Sequence, residues 1–104
     1  MTTIALVDDE SSIRTSVSLA LESEGFKVDV FQNGIEALEA LESKTYDLGL
    51  FDIKMPKMDG NELLEKVRSS KIEHLKEMPI IFLTSKDQEQ DEIIGLRMGA
   101  ADYI

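Results

Sequence analysis

The chain has 104 residues, with 21 acidic and 11 basic side chains, a formal charge of −10 and no cysteine. A chain of this length forms one domain, and its excess of carboxylates disfavours nucleic-acid phosphates and anionic membrane surfaces as partners. The absence of cysteine excludes a disulfide framework, a thiolate metal site and a cysteine nucleophile. The N-terminal apolar run meets acidic residues too early for a signal peptide, and no run approaches the roughly 18 apolar residues of a membrane span. We therefore expect a small, soluble, cytoplasmic domain with no membrane contact.

The first third of the chain predicts a strand, a helix and a second strand. The apolar run Ile4–Val7 is typical of a strand that is buried on both faces. A helix follows, capped by Ser11 or Ser12 and closed by a left-handed residue at Gly25. Its apolar positions at helical spacing are Ile13, Val17, Ala20 and Leu21. The second strand contains Val28, Val30 and Phe31.

The middle of the chain repeats this alternation. Asn33 and Gly34 mark a boundary before a second helix, whose predicted apolar face contains Ile35, Leu38 and Leu41. A third strand over Leu48–Phe51 ends at an acid, and the loop Ile53–Gly60 is rich in residues that break regular structure. Asn61 is the predicted cap of a third helix. The apolar positions of that helix are Leu63, Leu64 and Val67.

The last third predicts a fourth strand over Ile80–Leu83, a fourth helix and the start of a fifth strand. Asp87 is the predicted cap of this helix, Gly99 closes it, and Asp102–Ile104 begins the fifth strand. Apolar strands that alternate with helices indicate an α/β fold, with a parallel sheet covered by helices on both faces.

Polar side chains follow three of the predicted strands at the points where the strands end. Asp8 and Asp9 follow the first strand, Asp52 the third, and Thr84 and Ser85 the fourth. Because ligands of open parallel sheets bind beyond the carboxyl ends of the strands, these side chains are expected to lie close together. A single aspartate at a strand end is more often a turn former or a helix cap, but coincidence explains the combined pattern poorly.

Three carboxylates at one edge of a sheet repel one another, and a bound divalent cation removes that repulsion. All-oxygen ligands with room for water suit Mg²⁺, which commonly also binds phosphoryl oxygens. A carboxylate can act as the nucleophile toward phosphorus and form an aspartyl phosphate. The hydroxyl of Thr84 and a backbone carbonyl after Asp52 are further candidate ligands for the phosphoryl group and the metal.

Four blocks of the sequence together resemble a response-regulator receiver domain of two-component systems. The blocks are Leu6–Glu10, Leu50–Gly60, Phe82–Ser85 and Gly99–Ile104, and they occur in the order that the family has. The resemblance implies a CheY-like, flavodoxin-like doubly wound fold with a five-stranded parallel sheet of order 2-1-3-4-5. It implies that residues 1–104 form a single receiver domain.

The resemblance also implies a role for each matching residue. Asp52 matches the phosphoacceptor, which takes its phosphoryl group from a phosphohistidine on a sensor histidine kinase. Asp9 matches the direct ligand of Mg²⁺ or Mn²⁺, and Asp8 matches the acid that holds the metal through water. The metal would also contact Asp52 itself and the backbone carbonyl of Lys54.

The resemblance also identifies residues that would change position on phosphorylation, and it shows where this chain departs from the family. Thr84 and Tyr103 match the hydroxyl and the aromatic ring that change position on phosphorylation, while Lys54 and Lys86 match positions that tune the lifetime of the phosphoryl group. The family expects a lysine shortly beyond Ile104 and then a last helix. We therefore expect a domain truncated before that lysine and that helix, with the final helix missing from this chain.

The motifs look most like the branch of the family that carries a C-terminal winged-helix DNA-binding domain. This implies a phosphorelay switch that controls transcription, with DNA contacted only through a domain absent here. It also implies a homodimer through the predicted fourth helix and fifth strand. On this interpretation the chain is not an enzyme beyond assisting its own phosphorylation and dephosphorylation.

Two other functions stay open at this stage. The first is a receiver-like interaction module that is not phosphorylated, which the missing lysine favours. The second is a phosphatase with an aspartate nucleophile, which commonly needs a second aspartate two residues later as general acid. That position is Lys54, which disfavours a phosphatase. Outside the site, His74 is expected to be a solvated loop residue, and Met55 and Met58 are expected to pack within their loop.

Overall fold

The computed structural model describes residues 2–83 and the backbone of residues 102 and 103. Its strands form one parallel sheet in the order β2-β1-β3-β4-β5. The predicted five-stranded α/β fold of order 2-1-3-4-5 is therefore confirmed. The elements are β1 (Thr3–Val7), α1 (Ser11–Ser23), β2 (Lys27–Phe31), α2 (Gly34–Ser43), β3 (Leu48–Asp52), α3 (Gly60–Arg68), α4 (Glu73–Lys76), β4 (Ile80–Leu83) and β5 (Asp102–Tyr103).

The alternation of side chains along β1 builds a core on each face of the sheet. Ala5 and Val7 point to the face covered by α2 and α3, where they join the larger apolar cluster. Ile4 and Leu6 point to the opposite face, which α1 covers. Because both faces are covered, β1 is apolar without interruption, as the sequence predicts for a central parallel strand.

The end of α1 confirms the predicted role of Gly25. Its φ of +96° is left-handed, its amide donates to the carbonyl of Glu22, and the amide of Phe26 donates to the carbonyl of Leu21. These two bonds form a Schellman motif, which satisfies carbonyls that the helix end would otherwise leave unpaired.

The beginning of α1 differs from the prediction. Ser11 and Ser12 lie inside the helix, Glu10 is the N-cap residue, and no side chain in the described part of the chain caps this end. The carboxylate of Asp8 instead accepts a 2.9 Å hydrogen bond from the amide of Glu10. The turn that leaves β1 is thus organised by the acid at the strand end rather than by a serine.

One predicted position on α2 is also wrong. Asn33 caps the helix by accepting a 2.9 Å bond from the amide of Glu36. Leu41 is buried as predicted, whereas Ile35, predicted for the same face, is 48% exposed because Ala37 packs on the sheet in its place.

The cap of α3 is Asp59 rather than Asn61. The side chain of Asp59 accepts a 2.8 Å bond from the amide of Glu62. The helix begins at Gly60, which places Asn61 inside the first turn, where its side-chain amide cannot cap.

The short helix α4 was not predicted, and it corrects the interpretation of His74. His74 is half-buried, and its Nε2 lies 3.0 Å from the carbonyl oxygen of Leu41, in the last turn of α2. The residue therefore links α4 to the end of α2 and is not a solvated loop side chain. Within residues 2–83, none of the helices combines the length and hydropathy needed to cross a bilayer.

Candidate metal centre

The acidic residues predicted from the sequence meet at one edge of the sheet. Strands β1 and β3 are hydrogen-bonded neighbours in parallel register, with Val7 opposite Phe51. Residues that follow these two positions therefore emerge side by side. Asp8, Asp9 and Asp52 each present a carboxylate oxygen, and these oxygens all lie within 4.8 Å of one another.

Asp8 is held on several sides by the backbone around it. It is 4% exposed, its amide donates to the carbonyl of Phe31 at 3.1 Å, and its Oδ1 accepts from the amide of Glu10. The guanidinium of Arg14 donates a 2.6 Å bond to the Asp8 carbonyl. The backbone carbonyl and one carboxylate oxygen of Asp8 are thus both hydrogen-bonded within the turn.

Asp52 is the last residue of β3, and its carboxyl group is strongly perturbed. Burial is the largest cause, followed by the negative charges of Asp8 and Asp9, and together they raise the pKa of Asp52 to about 7. The backbone amide of Lys54 donates to the carboxylate and opposes this shift. Because burial and the neighbouring carboxylates disfavour the ionised form of Asp52, a bound cation would stabilise the site.

Burial also raises the pKa of Asp8, against the opposing effect of the hydrogen bond from the Glu10 amide. Asp9 is exposed to solvent. The three carboxylates therefore range from buried to exposed, which suits a cation that is held by protein oxygens on one side and by water on the other. The donor set contains oxygen alone, as a hard divalent cation requires.

The loop after Asp52 is fastened to the core by its apolar residues. Ile53, Met55 and Met58 are 2%, 8% and 8% exposed and belong to the larger apolar cluster. The packing predicted for the two methionines is therefore confirmed. The amide of Met58 donates to the carbonyl of Pro56 at 2.8 Å, a three-residue turn in which Lys57 has a left-handed φ of 70°. These contacts define the course of the backbone beside the site.

Among the other predicted site residues, the structure describes Lys54 but not the side chains of the rest. The amide of Lys54 reaches the Asp52 carboxylate and its side chain is exposed, so its peptide lies at the site, whereas the metal contact of its carbonyl stays a prediction. Thr84, Lys86 and the side chain of Tyr103 lie outside the described residues, as does the helix predicted from Asp87.

Two residues at the site were missed by sequence reasoning. Arg14 looks like an ordinary polar position of an amphipathic helix, and only the fold brings its guanidinium to the Asp8 carbonyl. The sequence identifies Gly60 only as one of the residues that break regular structure in its loop. A Cβ atom at Gly60 would overlap with the carbonyl oxygen of Asp52, so the residue permits a close backbone approach. An Asp-Gly pair directly before a helix was the available signal.

Comparison with known proteins identifies a family. Residues 4–104 match the family model described as the response regulator receiver domain. Among curated proteins, the chain is 41% identical over 101 residues to the alkaline phosphatase synthesis transcriptional regulatory protein PhoP of Bacillus subtilis. The alignment covers 97% of this chain and 40% of PhoP, so the chain spans less than half the length of that relative.

Solved structures agree with the family match. The Vibrio cholerae chemotaxis protein CheY4 superimposes with a TM-score of 0.86 at 33% identity, covering 100% of this chain and 85% of CheY4. The receiver domain of the Pseudomonas aeruginosa sensor histidine kinase PA1611 superimposes with a TM-score of 0.89 at 30% identity, covering 99% of this chain and 83% of that one. That structure contains a magnesium ion coordinated in its active-site cleft.

Proposed function

Because this chain belongs to the response-regulator receiver family, we propose that it is a phosphoacceptor switch whose acceptor is Asp52 and whose cofactor is Mg²⁺ or Mn²⁺. The observation that carries the proposal is the convergence of three carboxylates, whose oxygens lie within 4.8 Å of one another. Asp8, Asp9, Asp52 and the carbonyl of Lys54 would hold the metal. The ion found in the PA1611 receiver supports magnesium in the same kind of cleft.

Phosphorylation requires Asp52 to attack as a carboxylate. One of its oxygens forms a bond to phosphorus while the bond from phosphorus to the donor imidazole nitrogen breaks, and the imidazole retains that electron pair and takes up a proton. The bound cation supplies positive charge against the phosphoryl oxygens and the carboxylates. The Lys54 amide, which donates to the Asp52 carboxylate, favours its ionised form.

Asp8 and Asp9 contribute to the site without being acceptors. Asp8 is buried and engaged by the Glu10 amide, so its carboxylate has a defined position before any ligand arrives. Asp9 is exposed, so it lies where solvent reaches the site. Asp52, unlike these two residues, is the last residue of a strand.

The proposal extends to residues that transmit the signal. Thr84 and Tyr103 are the switch pair, and Lys54 and Lys86 tune the lifetime of the phosphoryl group. The phosphodonor is a sensor histidine kinase. By similarity to PhoP, a transcriptional regulatory protein, the output is transcription through a DNA-binding domain outside these residues, with a homodimer formed through the predicted fourth helix and β5.

The decisive experiment treats the protein with a small phosphodonor, such as phosphoramidate, in the presence of Mg²⁺ and measures its intact mass. We expect the addition of one phosphoryl group, which chelation of the metal and Asp52→Asn both abolish. Asp47→Asn is the matched control, because Asp47 contacts the amide of Thr3 at the other end of β1 and should not affect phosphorylation. A mass gain that survives Asp52→Asn would overturn the proposal.

The same samples separate the two alternative functions. An interaction module without phosphorylation predicts no mass gain in any variant. A phosphatase predicts continuous release of phosphate from monoesters, which the exposed Lys54 side chain in the position of the second aspartate disfavours.

A further inference from the structure

Arg14 is joined to the acidic site through the backbone. Its guanidinium donates a 2.6 Å hydrogen bond to the carbonyl of Asp8, the residue that follows β1. The bond spans the turn between β1 and α1 and is partly buried. A positive charge is thereby placed at the backbone of Asp8 by a contact that does not use a carboxylate oxygen.

The position of the Asp8 carboxylate and the positive charge near it depend on different contacts. Asp8 has two hydrogen bonds that do not involve Arg14: its amide donates to the Phe31 carbonyl, and its carboxylate accepts from the Glu10 amide. The position of the buried carboxylate is therefore determined mainly by the backbone. What Arg14 contributes alone is a unit positive charge at the turn.

We propose that the charge of Arg14 lowers the metal affinity of the site: its bond to the Asp8 carbonyl holds the guanidinium at the β1–α1 turn, where it repels an incoming divalent cation. The inference rests on the proposed metal site. In the metal-free protein the guanidinium places a positive charge at the turn that contains Asp8. In the metal-bound protein the same charge repels the cation and weakens its binding.

The expected effect is modest and has a defined sign. Neutralising one partly buried charge beside a divalent cation should tighten its binding about three- to tenfold at low ionic strength. Because salt screens this repulsion with a Debye length of about 10 Å at 0.1 M, the difference should shrink as salt is added. A residue that acted only by holding the turn would produce the opposite sign, since a loosened turn weakens metal binding.

The test measures Mn²⁺ binding directly, by electron paramagnetic resonance of the free ion, with Mg²⁺ as competitor. Arg14→Gln and Arg14→Met remove the charge, and Arg14→Met keeps most of the apolar stem if the glutamine variant fails to fold. Arg14→Lys keeps the charge. We expect the neutral variants to bind about three- to tenfold more tightly at low salt and the lysine variant to bind like the wild type.

The chain provides a matched control in Arg68. This arginine is also half-buried and donates to a backbone carbonyl, that of Leu75, 3.2 Å away. It is the last residue of α3, at the opposite end of that helix from Gly60. Arg68→Gln makes the same change in net charge, so we expect it to leave the affinity for Mn²⁺ unchanged.

Three results would overturn the inference. Neutral Arg14 variants that bind the metal equally or more weakly would show that Arg14 is only a structural clamp, while equal tightening in Arg68→Gln would show a general effect of net charge. Wild-type protein that binds no Mn²⁺ would remove the metal site and this inference with it. Binding that is present in the wild type and lost in Asp9→Asn establishes the metal site independently of Arg14.

Discussion

The amide of Gly60 donates a 2.7 Å hydrogen bond to the carbonyl of Ile53. This bond closes the loop that follows Asp52 and places the first residue of α3 against the end of β3. The approach is so close that a Cβ atom at Gly60 would overlap with the Asp52 carbonyl oxygen and would lie 2.9 Å from the Cα atom of Ile53. Glycine at this position is therefore a condition for the backbone geometry at Asp52.

Gly60→Ala should reduce phosphorylation as well as stability. The methyl group meets backbone atoms, which cannot move aside as a flexible side chain can, so the end of β3 or the start of α3 must shift. We expect destabilisation of about 1–3 kcal/mol together with a lower rate of phosphoryl transfer to Asp52. Urea unfolding and the intact-mass assay measure the two effects on the same sample.

Gly25→Ala is the control for a general loss of stability. Gly25 has a left-handed φ of +96°, and a Cβ atom there would meet nothing within 4 Å. The substitution should cost about 1 kcal/mol through backbone strain and leave phosphorylation intact. Equal losses of phosphorylation in both variants would contradict a specific role for Gly60.

The raised pKa of Asp52 predicts a pH dependence for the metal-free protein. The pKa lies near 7 in the folded state, against 3.8 for the unperturbed group. Between these values the folded state binds more protons than the unfolded state, so the free energy of unfolding falls as the pH rises through this window. Asp52→Asn removes this loss, and the variant should be more stable than the wild type near pH 8 by an amount on the order of 2–4 kcal/mol.

Thermal or urea unfolding from about pH 4 to pH 8 in the presence of a chelator measures the effect. The difference between the two proteins should be smallest toward pH 4, where Asp52 is protonated in the folded wild type and titrates near its ordinary pKa of 3.8 in the unfolded chain. Addition of Mg²⁺ near pH 8 should stabilise the wild type more than Asp52→Asn. A constant difference between the proteins across the whole pH range would contradict the electrostatic origin of the effect.

A second carboxylate, Asp29, predicts the opposite pH dependence at a position away from the site. Its Oδ2 accepts a 2.8 Å bond from Lys44 and a 2.7 Å bond from the hydroxyl of Tyr46, and these two bonds lower the pKa of Asp29. The stabilisation is therefore present above the ordinary pKa of 3.8 and is lost as the pH falls through the lowered value.

Tyr46→Phe should cost about 1 kcal/mol of unfolding free energy at neutral pH, because the tyrosine is buried and its hydroxyl bonds to a charged acceptor. The loss should become smaller in acid, once Asp29 is protonated. Lys44→Met should cost less, since the lysine side chain is 45% exposed and exposed ion pairs contribute little. A larger loss of unfolding free energy from Lys44→Met than from Tyr46→Phe would contradict this ranking of the two contacts.

The first turn of α3 provides a comparison between the predicted cap and the observed one. Asp59→Ala should destabilise the protein by about 1 kcal/mol, because it leaves the amide of Glu62 without its acceptor. Asn61→Ala should cost nothing or stabilise the protein, since Oδ1 of Asn61 is buried without a hydrogen-bond partner in the described part of the chain. Equilibrium unfolding of the two variants decides between them.

Predictions from the sequence were most accurate where a pattern depends on local composition. The apolar runs predicted as strands, Ile4–Val7, Leu48–Phe51 and Ile80–Leu83, agree with β1, β3 and β4 to within one residue at each end. Helix starts were less accurate. Ser11, Ser12 and Asn61 are all suitable cap residues, but the path on which the chain enters each helix decides which residue becomes the cap.

Contacts between distant segments could not be predicted from the sequence. The four residues of α4 are too few for a periodic pattern, and the bond from His74 to Leu41 joins positions that are 33 residues apart. Ile35 fits the spacing of an apolar helix face, yet it is exposed because the packing of α2 on the sheet determines which side is buried. Tertiary packing overrides such spacing when more than one face of a helix is sufficiently apolar.

The net charge of −10 does not indicate where in the fold the carboxylates lie. The order of apolar runs and the acids that follow them were sufficient to predict a parallel sheet with Asp8, Asp9 and Asp52 at one edge, because parallel strands end on the same side. Only the tertiary structure decided that Asp8 is buried, that the pKa of Asp52 is near 7, and that Arg14 reaches the turn. Desolvation and Coulomb energies depend on distances through space, and folding determines those distances.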